Sequence, residues 1–310
     1  MAVVLEGGCR VSDMHEGEPI DCGTLRIWNQ IGRATGAQAI SCRILEFAPG
    51  LSPVIRNDDC DEILYVLDSS FPNLARDRGA VEDSSQGQGR GPQQGSPAGV
   101  EARSARPLDQ DSISHSHPEE VRRKGPEIST FINGRNYEVH PDTGIYLRPR
   151  KTFAINNPGP NPVTLISSQC PDPDQAPQFV APLTEPSRDI LRPDQPPIVR
   201  LEDRRAQPTA DRWYRVLVDD EIGSTQVTQF VGSIPPGRAP DHFHNYEEVL
   251  FILKGEGRMW AGETNTPIAS GACIYLPKGQ VHCVENTGKG ELRLLGVFYP
   301  AGSPSVRYDV

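Results

Sequence analysis

Long apolar runs are missing from this chain of 310 residues. No segment approaches the roughly 18 apolar residues that a membrane-spanning helix needs, so no membrane partner is expected. The start, Met1–Glu18, holds an apolar run of only four residues, Ala2–Leu5, with no basic region before it. It is not expected to act as a secretory signal. Aromatic residues are scarce at 6%, and apolar residues reach only 36%. Proline is plentiful, with 30 residues beside 29 glycines, and this excludes an architecture of long helices. Basic charge is also short, 31 Lys and Arg against 41 Asp and Glu, for a net charge of −10. An acidic surface repels phosphate backbones, so nucleic acid is not an expected partner. The seven cysteines (Cys9, Cys22, Cys42, Cys60, Cys170, Cys273 and Cys283) are odd in number and scattered, without a CxxC pair. They read as free thiols in a reducing cytosol rather than as a disulfide framework or a thiolate zinc site, and a cytoplasmic location is expected.

What is present is an internal repeat. Residues 36–50 (GAQAISCRILEFAPG) overlie 223–237 (GSTQVTQFVGSIPPG) without a gap, at an offset of 187. Residues 61–67 (DEILYVL) overlie 247–253 (EEVLFIL) at an offset of 186. Residues 145–147 and 157–159 then overlie 274–276 and 286–288 at an offset of 129. The first copy therefore carries 57 more residues between its matched halves. That excess falls in 69–129, which contains QGQGRGPQQGSPAGV at 86–100. Such a composition cannot bury enough apolar surface to offset its ordering entropy, so it reads as a disordered insert. A second proline-rich stretch, within 171–211, reads as an inter-domain linker. Short β-prone runs bounded by turn residues recur at 39–47, 62–67, 143–147, 163–167, 225–234, 248–253, 272–276 and 292–299. They predict an all-β sandwich or barrel, duplicated.

Chemistry concentrates in the second copy. His242 and His244 are two residues apart, and in a strand i and i+2 share a face. Glu248 follows at the opening of the next apolar run, and His282 comes from a later one. Three imidazoles and a carboxylate form a mixed nitrogen and oxygen donor set. It suits Mn, Fe, Co, Ni, Cu or Zn better than Ca or Mg. On an octahedral ion, four protein ligands leave two positions open, as a catalytic metal requires. In the first copy the aligned residues are Arg56, Asp58, Glu62 and Phe153, so only the carboxylate survives and no metal is expected there. Arg56 is expected to pair with Asp58 or Glu62. The His115-x-His117 pair lies in the insert, without strands to hold it, and reads as solvated loop. His15 and His140 stand alone and receive no role. Cys283 should point away from His282's face, as a small buried hydrophobe, and Asn286 should fix the turn after the His282 strand. Tyr246, Arg238 and Met259 lie near enough in sequence to reach a pocket mouth, but the spacing assigns them nothing.

The second copy resembles the cupin superfamily. The family pattern G-x5-HxH-x3,4-E-x6-G, followed by G-x5-P-x-G-x2-H-x3-N, is matched at His242, His244, Glu248, Gly255, Gly271, Pro277, Gly279, His282 and Asn286. One departure is that Gly237 precedes His242 by four residues rather than five. The resemblance implies a double-stranded β-helix, or jelly-roll-like barrel, over 212–310 with the four ligands on its inner wall. The repeat extends this to a degenerate barrel over 20–170, hence a bicupin of the germin and oxalate decarboxylase kind with a metal motif only in the C-terminal barrel. It also implies one divalent transition metal per chain, Mn or Fe ahead of Zn, Ni, Co and Cu, and a homodimer formed through edge strands.

Fold does not decide reaction, and three functions stay open. One is an oxidoreductase of the dioxygenase or decarboxylase/oxidase type, acting on a small carboxylate or enolisable metabolite, with O2 as a further partner. A departure from oxalate decarboxylase is that both of its barrels carry ligands. The second is a non-redox isomerase or hydrolase, similar to ureidoglycine aminohydrolases in having its metal only in the second barrel. The third is a cupin that binds a small molecule without catalysis.

Overall fold

The computed structural model describes residues 1–68, 127–182, 196–209, 211–305 and 308–309. Among them every extended element is a β-strand, and helix is confined to four three-residue 3-10 turns. All eight β-prone runs are strands, with ends moved by up to three residues. The His115 and His117 pair lies outside the described residues, as does most of the expected insert. At the insert's far boundary, strand Ile128–Ile132 already begins within the span expected to be irregular. Its alternating buried positions, Thr130 and Ile132, pack it into the first barrel.

Each copy of the repeat folds as two facing antiparallel sheets. In the first, a seven-stranded sheet runs in the order Ile198–Arg200, Thr143–Leu147, Asp61–Val66, Val163–Cys170, Cys42–Phe47, Leu25–Ile31, Ile20–Cys22. A second sheet centres on Thr152–Asn157, which pairs with Ile128–Ile132 and Val54–Arg56. In the second copy, an eight-stranded sheet runs Val3–Val4, Arg10–Asp13, Ala272–Leu276, Glu247–Lys254, Leu292–Tyr299, Thr228–Ile234, Arg212–Val218, Gln207–Thr209. Its companion centres on His282–Asn286, which pairs with Glu256–Ala261 and His242–Phe243. Two features lie beyond the repeat. The N-terminal strands Val3–Val4 and Arg10–Asp13 extend the sheet of the second copy, through Val11 opposite Ile274. The proline-rich stretch also supplies strands to the first copy, Gln178–Val180 beside Val54–Arg56 and Ile198–Arg200 beside Thr143–Leu147.

Three apolar cores follow from strand alternation. Leu250 and Ile252 point into the second barrel, whereas Val249 and Phe251 on the same strand point out of it. The outward set meets its counterparts from the first barrel, among them Ile44, Ile63 and Tyr65, in a core lying between the two large sheets. Both faces of strand Glu247–Lys254 are thus buried, which explains its unbroken apolar sequence. A large apolar side chain buried this fully stabilises the fold by roughly 1.5–3 kcal/mol. Phe251 and Tyr65, at 1% and 0% exposure, therefore make the inter-barrel layer a true core.

Turns are set by specific residues. Gly255 ends strand Glu247–Lys254 with φ +90°, and a Cβ there would lie 3.0 Å from the Leu292 backbone. Asn286 donates through Nδ2 to the carbonyls of Ile234 and Gly290, both at 2.8 Å, and its Oδ1 accepts from Gly288 N at 2.9 Å. Asn157 repeats this pattern in the first barrel, to Phe47, Asn161 and Gly159. The asparagine fixes the turn, as the spacing predicts.

Candidate metal centre

His242 and His282 face each other as a direct cross-strand pair. His244 follows two residues on, and its carbonyl accepts from Gly279 N at 2.8 Å, which ties it to the Pro277–Gly279 turn. The ring centroids lie 4.5 Å (His242 to His282), 4.9 Å (His242 to His244) and 5.2 Å (His244 to His282) apart. One ligand atom from each falls within 4.8 Å of the others, so the three can hold a metal ion. Glu248 opens the neighbouring strand, and its Oε2 stands 3.6 Å from His244 Nε2. The structure thus brings the three histidines together, with Glu248 beside His244.

The surroundings orient these groups. His242 Nδ1 lies 3.0 Å from the Pro240 carbonyl and His282 Nδ1 lies 2.8 Å from that of Gln280. A carbonyl only accepts, so in each ring Nδ1 carries a proton, which leaves Nε2 as the nitrogen that would face a cation. Tyr246 stacks on His244 at 4.6 Å and an interplanar angle of 9°, and on Phe298 at 4.3 Å. His244, Glu248 and His282 are all less than 8% exposed. Burial pushes the Glu248 carboxyl up to about 8 and the His282 imidazole down to about 4. Both shifts favour the uncharged form, a neutral His282 imidazole beside a Glu248 carboxyl that a nearby cation would ionise. Three nitrogens and one oxygen of this kind match a borderline transition-metal ion and not a hard one.

The four groups line a cavity of about 130 Å³. Its walls are apolar, from Phe230, Ile234, Leu250, Val284 and Leu294, and Thr209, Arg212 and Trp213 also line it. Sequence spacing gave no sign of these wall residues, because their only local signal is the ordinary alternation of a core strand. Of the three residues left without a role, Tyr246 lines the cavity and Met259 is buried in the barrel core. Arg238 binds elsewhere: its Nε donates to Cys283 Sγ at 3.2 Å, Nη2 pairs with Asp241 at 3.0 Å, and its guanidinium lies 4.2 Å above Trp260. Cys283 is fully buried, on the far side of its strand from the cavity-lining His282. His15 packs edge-on against Trp28, and His140 contacts Glu138 on the half-exposed surface.

The first barrel shows what replaces a metal. Arg56 pairs with Asp58 at 2.8 Å, and Phe153 is core. Glu62, aligned with Glu248, is 1% exposed and accepts from Arg43 Nη2 at 2.6 Å, Ser167 Oγ at 2.6 Å, and Asn57 Nδ2. Arg43 stands at the repeat position of Phe230, and Ser167 at that of Gly296. In the second barrel a Cβ at Gly296 would come within 2.2 Å of the Phe230 ring, so that glycine makes room for the aromatic wall. The first barrel has exchanged ring and glycine for a guanidinium and a hydroxyl. Its surviving carboxylate is neutralised by a side chain instead of an ion. Among the described residues, only the second barrel gathers three or more metal-type side chains.

The sequence model of the cupin-domain family matches residues 230–298. Auxin-binding protein 1 of Arabidopsis thaliana is 32% identical over 83 residues, 24% of this chain and 42% of that protein. The oxalate-binding protein of Thermotoga maritima is 36% identical over 66 residues, 21% of this chain and 54% of that protein. The chain thus spans about half the length, or less, of these curated relatives. Among solved structures, a deletion mutant of Bacillus subtilis oxalate decarboxylase aligns with a TM-score of 0.61 at 11% identity, covering 94% of this chain and 76% of that one. Protein Ylba from E. coli aligns at 0.61 with 9% identity, covering 98% and 96%. These likenesses extend over both barrels, and at such identities they speak for the fold alone. Residues 230–298 are thus similar to the cupin domain, and the two facing-sheet barrels related by an internal repeat share the two-barrel fold of these solved structures.

Proposed function

We propose that this protein is a metal-dependent oxidoreductase, of the dioxygenase or decarboxylase/oxidase type, acting on a small carboxylate or enolisable metabolite. The observation that carries this reading is the convergence of His242, His244, His282 and Glu248 on one small apolar cavity. Manganese or iron, one ion per chain, fits the donor set. When bound, such an ion supplies a Lewis acid with open coordination positions and access to a one-electron couple. The chain's own residues do the rest. The carbonyls of Pro240 and Gln280 hold two imidazoles in the tautomer that presents Nε2. Glu248 supplies the anionic ligand, and Tyr246 holds the His244 ring in place by stacking. Phe230, Leu250 and Leu294 present apolar walls beside the four groups. A cavity of about 130 Å³ suits a small-molecule substrate. Relatives named for binding or decarboxylating oxalate support a small carboxylate as the substrate class.

The test is metal analysis of the isolated protein, with electron paramagnetic resonance before and after adding small carboxylates. O2 uptake or CO2 release is then measured over a substrate panel. About one metal ion per chain, a carboxylate-dependent spectral change and loss of turnover in His244→Ala are expected. Activity unchanged in His244→Ala overturns the reading. A single centre per chain also suits non-redox chemistry. Full anaerobic turnover with zinc in the site would favour an isomerase or hydrolase instead.

A further inference from the structure

Glu247 separates two of the four proposed ligands: His244 lies three residues before it and Glu248 one residue after. Strand alternation sends Glu248 into the second barrel and Glu247 the opposite way, towards the first. Its carboxylate is 7% exposed and accepts three hydrogen bonds. Two come from backbone amides of the first barrel, Gln38 N at 2.8 Å and Ala39 N at 2.6 Å. The third comes from the Tyr275 hydroxyl. The donating loop is itself braced. Ala37 N donates to Gly32 O at 3.2 Å, Asp172 N donates to Ala39 O at 3.0 Å, and Asp172 Oδ2 accepts from Arg33 N at 3.2 Å.

The repeat supplies an internal control. Asp61 aligns with Glu247, Tyr146 with Tyr275, and residues 223–227 with 36–40. Tyr146 donates to Asp61 at 3.2 Å, so the tyrosine half of the clamp exists in both copies. Among the described residues, however, no backbone amide of 223–227 donates to Asp61, whose side chain is one methylene shorter. The clamp onto the facing barrel is complete only on the side that carries the histidines.

We infer that the 36–39 loop of the first barrel positions the metal centre of the second, with Glu247 as the positioning residue. The inference rests on the metal-centre reading above. A strand end frays unless something holds it, and Glu248 is only the second residue of its strand. Anchoring Glu247 fixes the backbone on both sides, so Glu248 and the connection bearing His244 hold one geometry. The first barrel, without ligands of its own, thereby takes part in the chemistry of the second.

The test uses the full-length protein, stripped of metal by a chelator and titrated with Co2+, whose visible spectrum reports coordination. Glu247→Gln keeps the volume but turns an amide towards donors. It is expected to weaken Co2+ binding about tenfold, the lower range for removing an outer partner of a ligand, and to change the cobalt bands. Tyr275→Phe, which removes one donor of three, should move both readouts the same way by less, and serves if Glu247→Gln does not fold. Asp61→Asn should leave affinity and spectrum at parental values. If Glu247→Gln and Asp61→Asn lower the melting temperature alike while cobalt affinity and spectrum stay parental, Glu247 is only interface packing and the inference fails. His282→Ala, run in parallel, separates the two readings. If it still takes one tightly held Co2+ per chain, the metal-centre reading itself is wrong.

Discussion

Glu248 makes metal binding a proton-exchange reaction. Its buried carboxyl, pushed up to about 8, is about 90% protonated at pH 7 and about 25% protonated at pH 8.5. His282, pushed down to about 4, is neutral at both values and contributes no proton. Loading the metal-free protein should therefore release about 0.9 proton from Glu248 at pH 7 and about 0.25 at pH 8.5. Calorimetric titration in two buffers of different ionisation enthalpy reads this number, and Glu248→Gln isolates it by difference. The same group sets a stability trend. Its folded value lies above the ordinary 4.5, so its contribution is fully present below pH 4.5 and is lost as pH rises through about 8. At 1.36 kcal/mol per pH unit that loss is on the order of 5 kcal/mol for the metal-free protein. A bound cation removes the trend by stabilising the carboxylate. Proton release that is equal at the two pH values, or unaltered in Glu248→Gln, refutes the reasoning.

Two further outcomes are expected. Arg43→Met should destabilise the protein by about 3–5 kcal/mol in denaturant melts, because it strands the Glu62 carboxylate in the first barrel, and Arg43→Met/Glu62→Met should recover much of that loss. A native thiol titration with an aromatic disulfide should find one fast cysteine, half-buried Cys22, with the other six reacting only after unfolding. Burial raises Cys9 and Cys60 to about 12 and Cys283 to about 11, and Cys22→Ser should abolish the fast phase.

The strands, the duplication and the three clustered histidines were legible in the order of residues, with Glu248 as the further candidate that now stands beside His244. These are short-range properties: alternation of period two, turn residues at fixed places, and donors spaced within two local motifs. The order of residues also determined that the first copy keeps only Glu62 at the ligand positions, and that Asn286 closes a turn. What it did not carry was contact between residues distant in the chain. Nothing local marks Arg43 as the internal cation of the first barrel, since the partners it meets, Glu62 and Ser167, are 19 and 124 residues away. Nothing local sends Arg10–Asp13 to the edge of the second barrel's sheet, or brings the amides of Gln38 and Ala39 to Glu247, 209 and 208 residues on. Those pairings were decided by the tertiary structure alone. A buried charge or an open sheet edge must find a complement somewhere, but which one it meets depends on how the two barrels pack.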